Sequence, residues 1–211
     1  MAVFRHSLVV LALSFLSACA STNPAPNVSG DASQTENKAE PSLIQALPES
    51  IGSFDYVNYG YFDDAGDGYQ LRYSNQRKRR IASVFVYPVD EENKTLEHNQ
   101  LVLGSTRATM QALGEAVKQG HYVNFNVVDA ATKSQGIRTV ARVQATYLQE
   151  NLASYTLVYQ TEHEGTFLKI RFTMPDNESN RSSNEWDQFA DQIFKLIIDD
   201  LQSEDLQASS T

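Results

Sequence analysis

The chain reads as an α+β protein built on an antiparallel sheet of about seven strands with two main helices. Three observations carry that expectation. Several stretches of five to about a dozen residues either alternate apolar and polar side chains or run apolar throughout, and Gly-, Asn- and Asp-rich turns part them. Two longer stretches repeat apolar residues at helical spacing. The last four strand-like stretches follow one another through short polar links, too short for parallel crossovers, so antiparallel pairing is the simplest topology.

The N-terminus comes before any of this. Arg5 and His6 precede an uncharged apolar run, residues 7–18. That run is shorter than the roughly 18–20 residues a helix needs to cross a bilayer, so it reads as an export signal. It ends in Leu16-Ser17-Ala18-Cys19, which resembles the lipobox of bacterial lipoproteins: a branched apolar residue, two small residues and a cysteine. The resemblance implies cleavage after Ala18 and a diacylglycerol thioether on Cys19. With Ala20 rather than Asp following, it also implies an outer-membrane anchor facing the periplasm. Residues 19–42 are rich in Ser, Thr, Asn, Pro and Ala and hold one large aliphatic, Val28. Such a segment cannot offset its chain entropy by burial, and it reads as a flexible tether.

The domain is expected over 43–203. Residues 42–47 can form one helical turn. Strands are expected at 54–61 and 69–73, joined by the turn-forming 63–68 into a hairpin. Residues 75–80 make the next turn, and 81–88 (IASVFVYP) is apolar on both faces, as in a strand covered on both sides. A helix follows over 95–119, with Val102, Thr106, Met110, Leu113 and Val117 on one face and Gly120 as its left-handed cap. Strands are then expected at 122–129, 137–149, 155–163 and 167–174. In the last, Leu168, Ile170, Phe172 and Met174 point inward while Lys169, Arg171 and Thr173 point outward. Ser182 and Glu185 fit a capping box for a final helix, with a stripe of Trp186, Phe189, Ala190, Ile193, Phe194, Ile197 and Leu201. Residues 204–211 read as a polar tail.

This order of elements, with the ending FLKIRFTMP (167–175) and WDQFADQIFKLI (186–197), resembles the PsbP-like α/β/α sandwich. The resemblance implies a sheet with helices on both faces; it implies little about function, because such domains mostly act as accessory or assembly proteins and fold does not fix function.

Composition narrows the function classes. The net charge of −9 over 211 residues argues against nucleic acid as a partner, since phosphate contacts need clustered Lys and Arg. The one cysteine is Cys19, so the domain must hold together by packing, without disulfides. His98, His121 and His163 are widely separated and no HExxH is present, so no metal site is expected. The acidic turn at 63–68 lacks the spacing and closing Glu of a calcium loop. Neither GxSxG nor SxxK occurs, nor a phosphate-binding glycine loop, and no cofactor is expected. Triads and carboxylate pairs assembled from distant residues leave no mark in a sequence, and no catalytic residue is assigned.

Two features point to binding. Arg77-Lys78-Arg79-Arg80 is a block of four positive charges in an acidic chain, suited to a phosphate-bearing headgroup or an acidic partner. The first hairpin is dense in aromatics: Phe54, Tyr56, Tyr59, Tyr61, Phe62, Tyr69 and Tyr73. These stack on sugars or anchor interfaces where exposed, and pack across strands where buried. The expected function is that of a membrane-anchored envelope protein with a non-catalytic binding role for a protein or glycan partner. An envelope hydrolase acting on peptidoglycan or lipid, and a carrier of an apolar ligand, are the alternatives.

Overall fold

The computed structural model describes residues 43–44, 47–62, 68–135 and 138–208. The signal segment, Cys19, the tether and the acidic turn therefore lie outside the described residues. Eight strands form one sheet: β1 (Ser50–Ile51), β2 (Phe54–Tyr61), β3 (Tyr69–Asn75), β4 (Arg80–Pro88), β5 (Val123–Gln135), β6 (Arg138–Gln149), β7 (Leu152–His163) and β8 (Thr166–Pro175). Among the described residues, three α-helices of five residues or more accompany them, α1 (His98–Lys118), α2 (Glu178–Ser182) and α3 (Glu185–Ala208), besides a 3-10 turn at Glu91–Asn93. The strand order is β1-β2-β3-β4-β8-β7-β6-β5, and every pairing is antiparallel.

The strand beyond the expected seven is β1, a two-residue piece on the end of β2, too short to show a period of its own. α3 continues to Ala208, into the segment read as a tail. β5 also runs past its expected end, to Gln135, with register shifts between Val123 and Asn126 and between Val127 and Asp129. Those shifts break the period-two alternation of the strand. The expectation that β4 is covered on both sides holds only for Val84, Phe85 and Val86. The strand buried on both faces is β7, where every residue from Tyr155 to Glu162 is buried.

α3 lays Trp186, Phe189, Ala190, Ile193, Phe194 and Ile197 against one face of the sheet. There they meet Leu71, Tyr73, Ala82, Val84, Tyr155, Leu157, Leu168, Ile170 and Phe172, most of them without exposed surface. Each such side chain contributes about 1.5–3 kcal/mol when taken from water. α1 lies over the opposite set of side chains on β6 and β7. Its buried face is Leu101, Val102, Gly104, Ser105, Leu113 and Ala116, rotated from the expected one, so that Thr106, Met110 and Val117 are only half-buried. Gly120, with φ +78, ends α1. Its N–H bonds to the Val117 carbonyl at 3.0 Å while the His121 N–H bonds to Ala116 at 2.9 Å, the double bond of a Schellman ending. At the start of β3, a Cβ on Gly68 would lie 2.5 Å from the Phe62 ring, so this position admits no side chain while that ring stays in place.

Candidate binding surfaces

The basic block sits on the β3–β4 turn. Asn75 shapes that turn: its Oδ1 accepts the Lys78 N–H at 3.0 Å, and its Nδ2 donates to the Ser53 carbonyl at 2.6 Å. Arg79 takes a left-handed φ of +54 and donates its N–H to Gln76. Arg77, Lys78 and Arg79 are exposed.

Arg80 is not part of that surface, and its reading as a binding residue is corrected. It opens β4 in the same alternation as Ala82, Val84 and Val86, so its side chain points into the α3 side, where it is 5% exposed. Its Nε and Nη2 donate to Asn180 Oδ1 at 2.9 and 2.5 Å, and its Nη1 pairs with Glu185 Oε2 at 3.0 Å. The guanidinium also lies 4.7 Å from the Trp186 ring centroid. The groups around it are tied in turn. Asn180 Nδ2 donates to the Pro175 carbonyl at 2.6 Å, Trp186 Nε1 donates to the Asn180 carbonyl at 2.8 Å, and Glu185 Oε1 accepts the Ser53 N–H at 3.1 Å. Arg80 thus fastens the turn before β2, α2 and the start of α3 to the end of the sheet.

That arrangement also revises the capping box. Glu185 is the first residue of α3, separated from Ser182 by the end of α2, and its carboxylate reaches Arg80 and Ser53. A reciprocal side-chain bond of the kind expected there occurs at α1 instead, where the Gln100 side chain accepts the Glu97 N–H at 3.1 Å.

Packing consumes most of the aromatic hairpin. Phe54 and Tyr73 have no exposed surface, and Phe62 and Tyr69 are buried. Phe54 lies 5.2 Å from Phe189 and 5.8 Å from Trp186, both edge-on. Tyr56 and Tyr61 are half-buried, and Tyr59, 37% exposed, is the one ring of the set that faces solvent.

The side chains under α1 include a polar interior that alternation alone does not reveal. His98 Nε2 accepts the Thr139 N–H at 3.0 Å, so Nδ1 carries the proton and donates to Glu162 Oε2 at 2.8 Å. Glu162 Oε1 accepts the Gly165 N–H at 2.7 Å. Both nitrogens of this imidazole and both oxygens of this carboxylate are occupied, which suits a structural pair better than a proton-transfer pair. Gln160 bonds Ser105 and accepts from Thr109 across the same interface. His121 is exposed, and His163 Nε2 is buried without a hydrogen-bond partner and 3.8 Å from Glu164. Among the described residues, no three His, Cys, Asp or Glu side chains converge as metal ligands, and no helix is long and apolar enough to cross a membrane.

Lys169 and Arg171, read as outward-pointing, do face away from α3 but not into open water. Lys169 is half-buried, its ammonium 5.0 Å from the Phe85 ring and 5.9 Å from Tyr87. Burial, and secondarily the Arg171 charge, lowers its pKa to about 8. Arg171 donates to the Tyr122 hydroxyl at 2.9 Å and to Thr156 Oγ1 at 3.4 Å. These cations were missed as partly enclosed groups because a period of two assigns a face without saying what covers it.

No family model matches the chain, and no curated protein matches it. Solved structures resemble it at low identity. A cyanobacterial PsbP (CyanoP) from Synechocystis is 11% identical, with a TM-score of 0.47 over 66% of this chain and 84% of its own. A Pseudomonas aeruginosa protein titled a putative regulator is 12% identical, with a TM-score of 0.37 over 67% of this chain and 83% of its own. The Saccharomyces cerevisiae Ran-binding protein Mog1p is 11% identical, with a TM-score of 0.34 over 71% of this chain and 92% of its own.

Proposed function

We propose that this is a lipid-anchored protein of the bacterial cell envelope, attached through Cys19 to the outer membrane on its periplasmic side, whose domain binds a protein or glycan partner without chemistry of its own. The α/β/α sandwich of the PsbP-like kind is part of this reading, with α1 and α3 as its outer layers. The observation that carries the binding role is the β3–β4 turn. It presents Arg77, Lys78 and Arg79 to solvent on a chain of net charge −9, and it is held in shape by Asn75 at its start and the buried Arg80 at its end. A cationic site on a rigid turn loses little side-chain and loop freedom when an acidic group docks, beyond that of the long side chains themselves. Surface charge of this kind governs encounter and specificity more than bulk affinity.

The test replaces Arg77, Lys78 and Arg79 with Ala while keeping Arg80. Binding to purified sacculi and to crosslinked envelope partners should fall by about tenfold or more at low salt, with thermal stability unchanged. Unchanged binding removes the turn from the reading. Release of muropeptides or fatty acids by the untouched protein overturns the non-catalytic role and favours the hydrolase. The anchor has its own test: Cys19→Ser should abolish incorporation of labelled palmitate, and labelling that persists refutes lipidation at this residue.

A further inference from the structure

The outer edge of β5 is one end of the eight-stranded sheet. The sheet's opposite edge, along β2, is broken by a register shift between Tyr56 and Asn58 and overlaid at one end by β1. β5 differs. After its second shift, at Val127–Asp129, it pairs with β6 in unbroken register from Asp129 to Gln135, and among the described residues no strand pairs with its other side. Asp129, Ala130, Ala131, Thr132 and Lys133 are all exposed. An unguarded edge of this kind is a template for another strand.

We propose that this edge pairs with a second copy of itself, antiparallel and centred on Ala131. The register follows from the pleat and the charges. A two-fold axis normal to the sheet keeps each side chain on its own face, so the axis must pass midway between a residue and its own equivalent in the partner, directly opposite it. Centring on Asp129 or on Lys133 sets like charges directly opposite. Centring on Ala130 or Thr132 leaves Lys133 facing Val127 or Ala131. Centring on Ala131 places Asp129 opposite Lys133 of the partner subunit and Lys133 opposite Asp129 of the partner subunit, two opposite-charge pairs on one face. Ala130, Ala131 and Thr132 between them are small enough for close strand approach. Among the described residues neither Lys133 nor Asp129 has an ion-pair partner of its own. The docked pair joins the two sheets edge to edge. It needs neither the lipid nor the basic turn, so it stands apart from the proposed function.

The test uses two differently tagged copies of the full chain, coexpressed and extracted in mild detergent. Wild-type copies should co-purify. D129K leaves only lysines at the two positions and K133D only aspartates, so either variant paired with itself should co-purify at least about tenfold less. D129K paired with K133D restores both opposite-charge contacts, and this mixed pair should recover the wild-type yield. That recovery also shows that both variants fold. Failure of the wild-type copies to associate, or self-association of either variant at the wild-type level, overturns the proposal.

Discussion

Beneath α3 the sheet presents Leu71, Tyr73, Val84, Leu168, Ile170 and Phe172, one continuous apolar layer. On the sheet's other face, β7 and β8 present Gln160, Glu162, Lys169 and Arg171, and the apolar residues near α1 form two small clusters. One is Leu113, Ala116, Tyr122 and Tyr147; the other is Val89, Leu101 and Phe167. Between them runs the seam of Ser105, Thr109 and Gln160. β7 shows the contrast residue by residue. Tyr159 goes to the α3 side, where burial, and then Asp187 bonded to its hydroxyl at 2.6 Å, pushes its pKa up; Gln160, its neighbour, goes to the seam. The α3 side is held by area, which is tolerant of detail but costly to hollow out. The α1 side is held by paired polar groups, which contribute little each but fail if one partner is lost.

The largest effect expected from this contrast is on the α3 side. The Phe172 ring lies 5.3 Å from both Trp186 and Phe189, 5.9 Å from Phe54 and 6.0 Å from Tyr159. Phe172→Ala leaves a cavity walled by four rings that cannot collapse together, and should cost about 3–5 kcal/mol in chemical denaturation. Leu113→Ala, in the smaller cluster under α1, should fall at or below the low end of the range for such truncations, about 2 kcal/mol. Equal losses at the two sites would erase the distinction between the layers.

Next in size is the Arg80 clamp, where a buried guanidinium enters the α3 side. Arg80→Ala strands the Glu185 carboxylate and Asn180 Oδ1 near Trp186, and should cost about 3 kcal/mol. Adding Glu185→Leu to that variant removes the stranded charge, so the double substitution should cost less than the sum of the two singles. Additive losses in a double-mutant cycle would show that the pair is solvated and that the clamp acts through Asn180 alone.

Most elements of the fold could be read directly, because β3, β8 and α3 each carry one strong period. What escaped shares a cause. Arg80 looked like the fourth charge of a surface run, yet its parity with Ala82 and Val84 was available and pointed inward. Glu185 sat at capping-box spacing, and only the fold brings Arg80 and Ser53 to it across more than a hundred residues. The polar seam had no signature, since Gln160, Glu162 and His98 resemble surface residues until their partners are known. Bulges in β5 hid a strand edge behind an irregular pattern.

The subtlest test concerns Lys169, because there the α1 side holds a cation against Phe85 and Tyr87 rather than a matched pair. Its pKa, lowered to about 8 by burial and Arg171, means that folding disfavours the charged form. Below pH 8 both folded and unfolded chains carry the proton, and the penalty is fully present. Between pH 8 and the ordinary lysine value of 10.5 the folded chain gives up its proton while the unfolded chain keeps it, so stability attributable to this group rises with pH. Lys169→Met keeps the stem's volume and removes the charge. It should therefore be more stable than wild type by about 1–2 kcal/mol at pH 7, after allowance for the water that reaches a half-buried ammonium. The gap should narrow steadily from pH 8 to pH 10 in parallel urea titrations. Taking the difference between the two proteins at each pH cancels tyrosine ionisation, which is common to both. A gap that stays constant across that range would mean the ammonium is hydrated in the folded state. The α1 side would then be polar because it is wet, and not because its polar groups are paired.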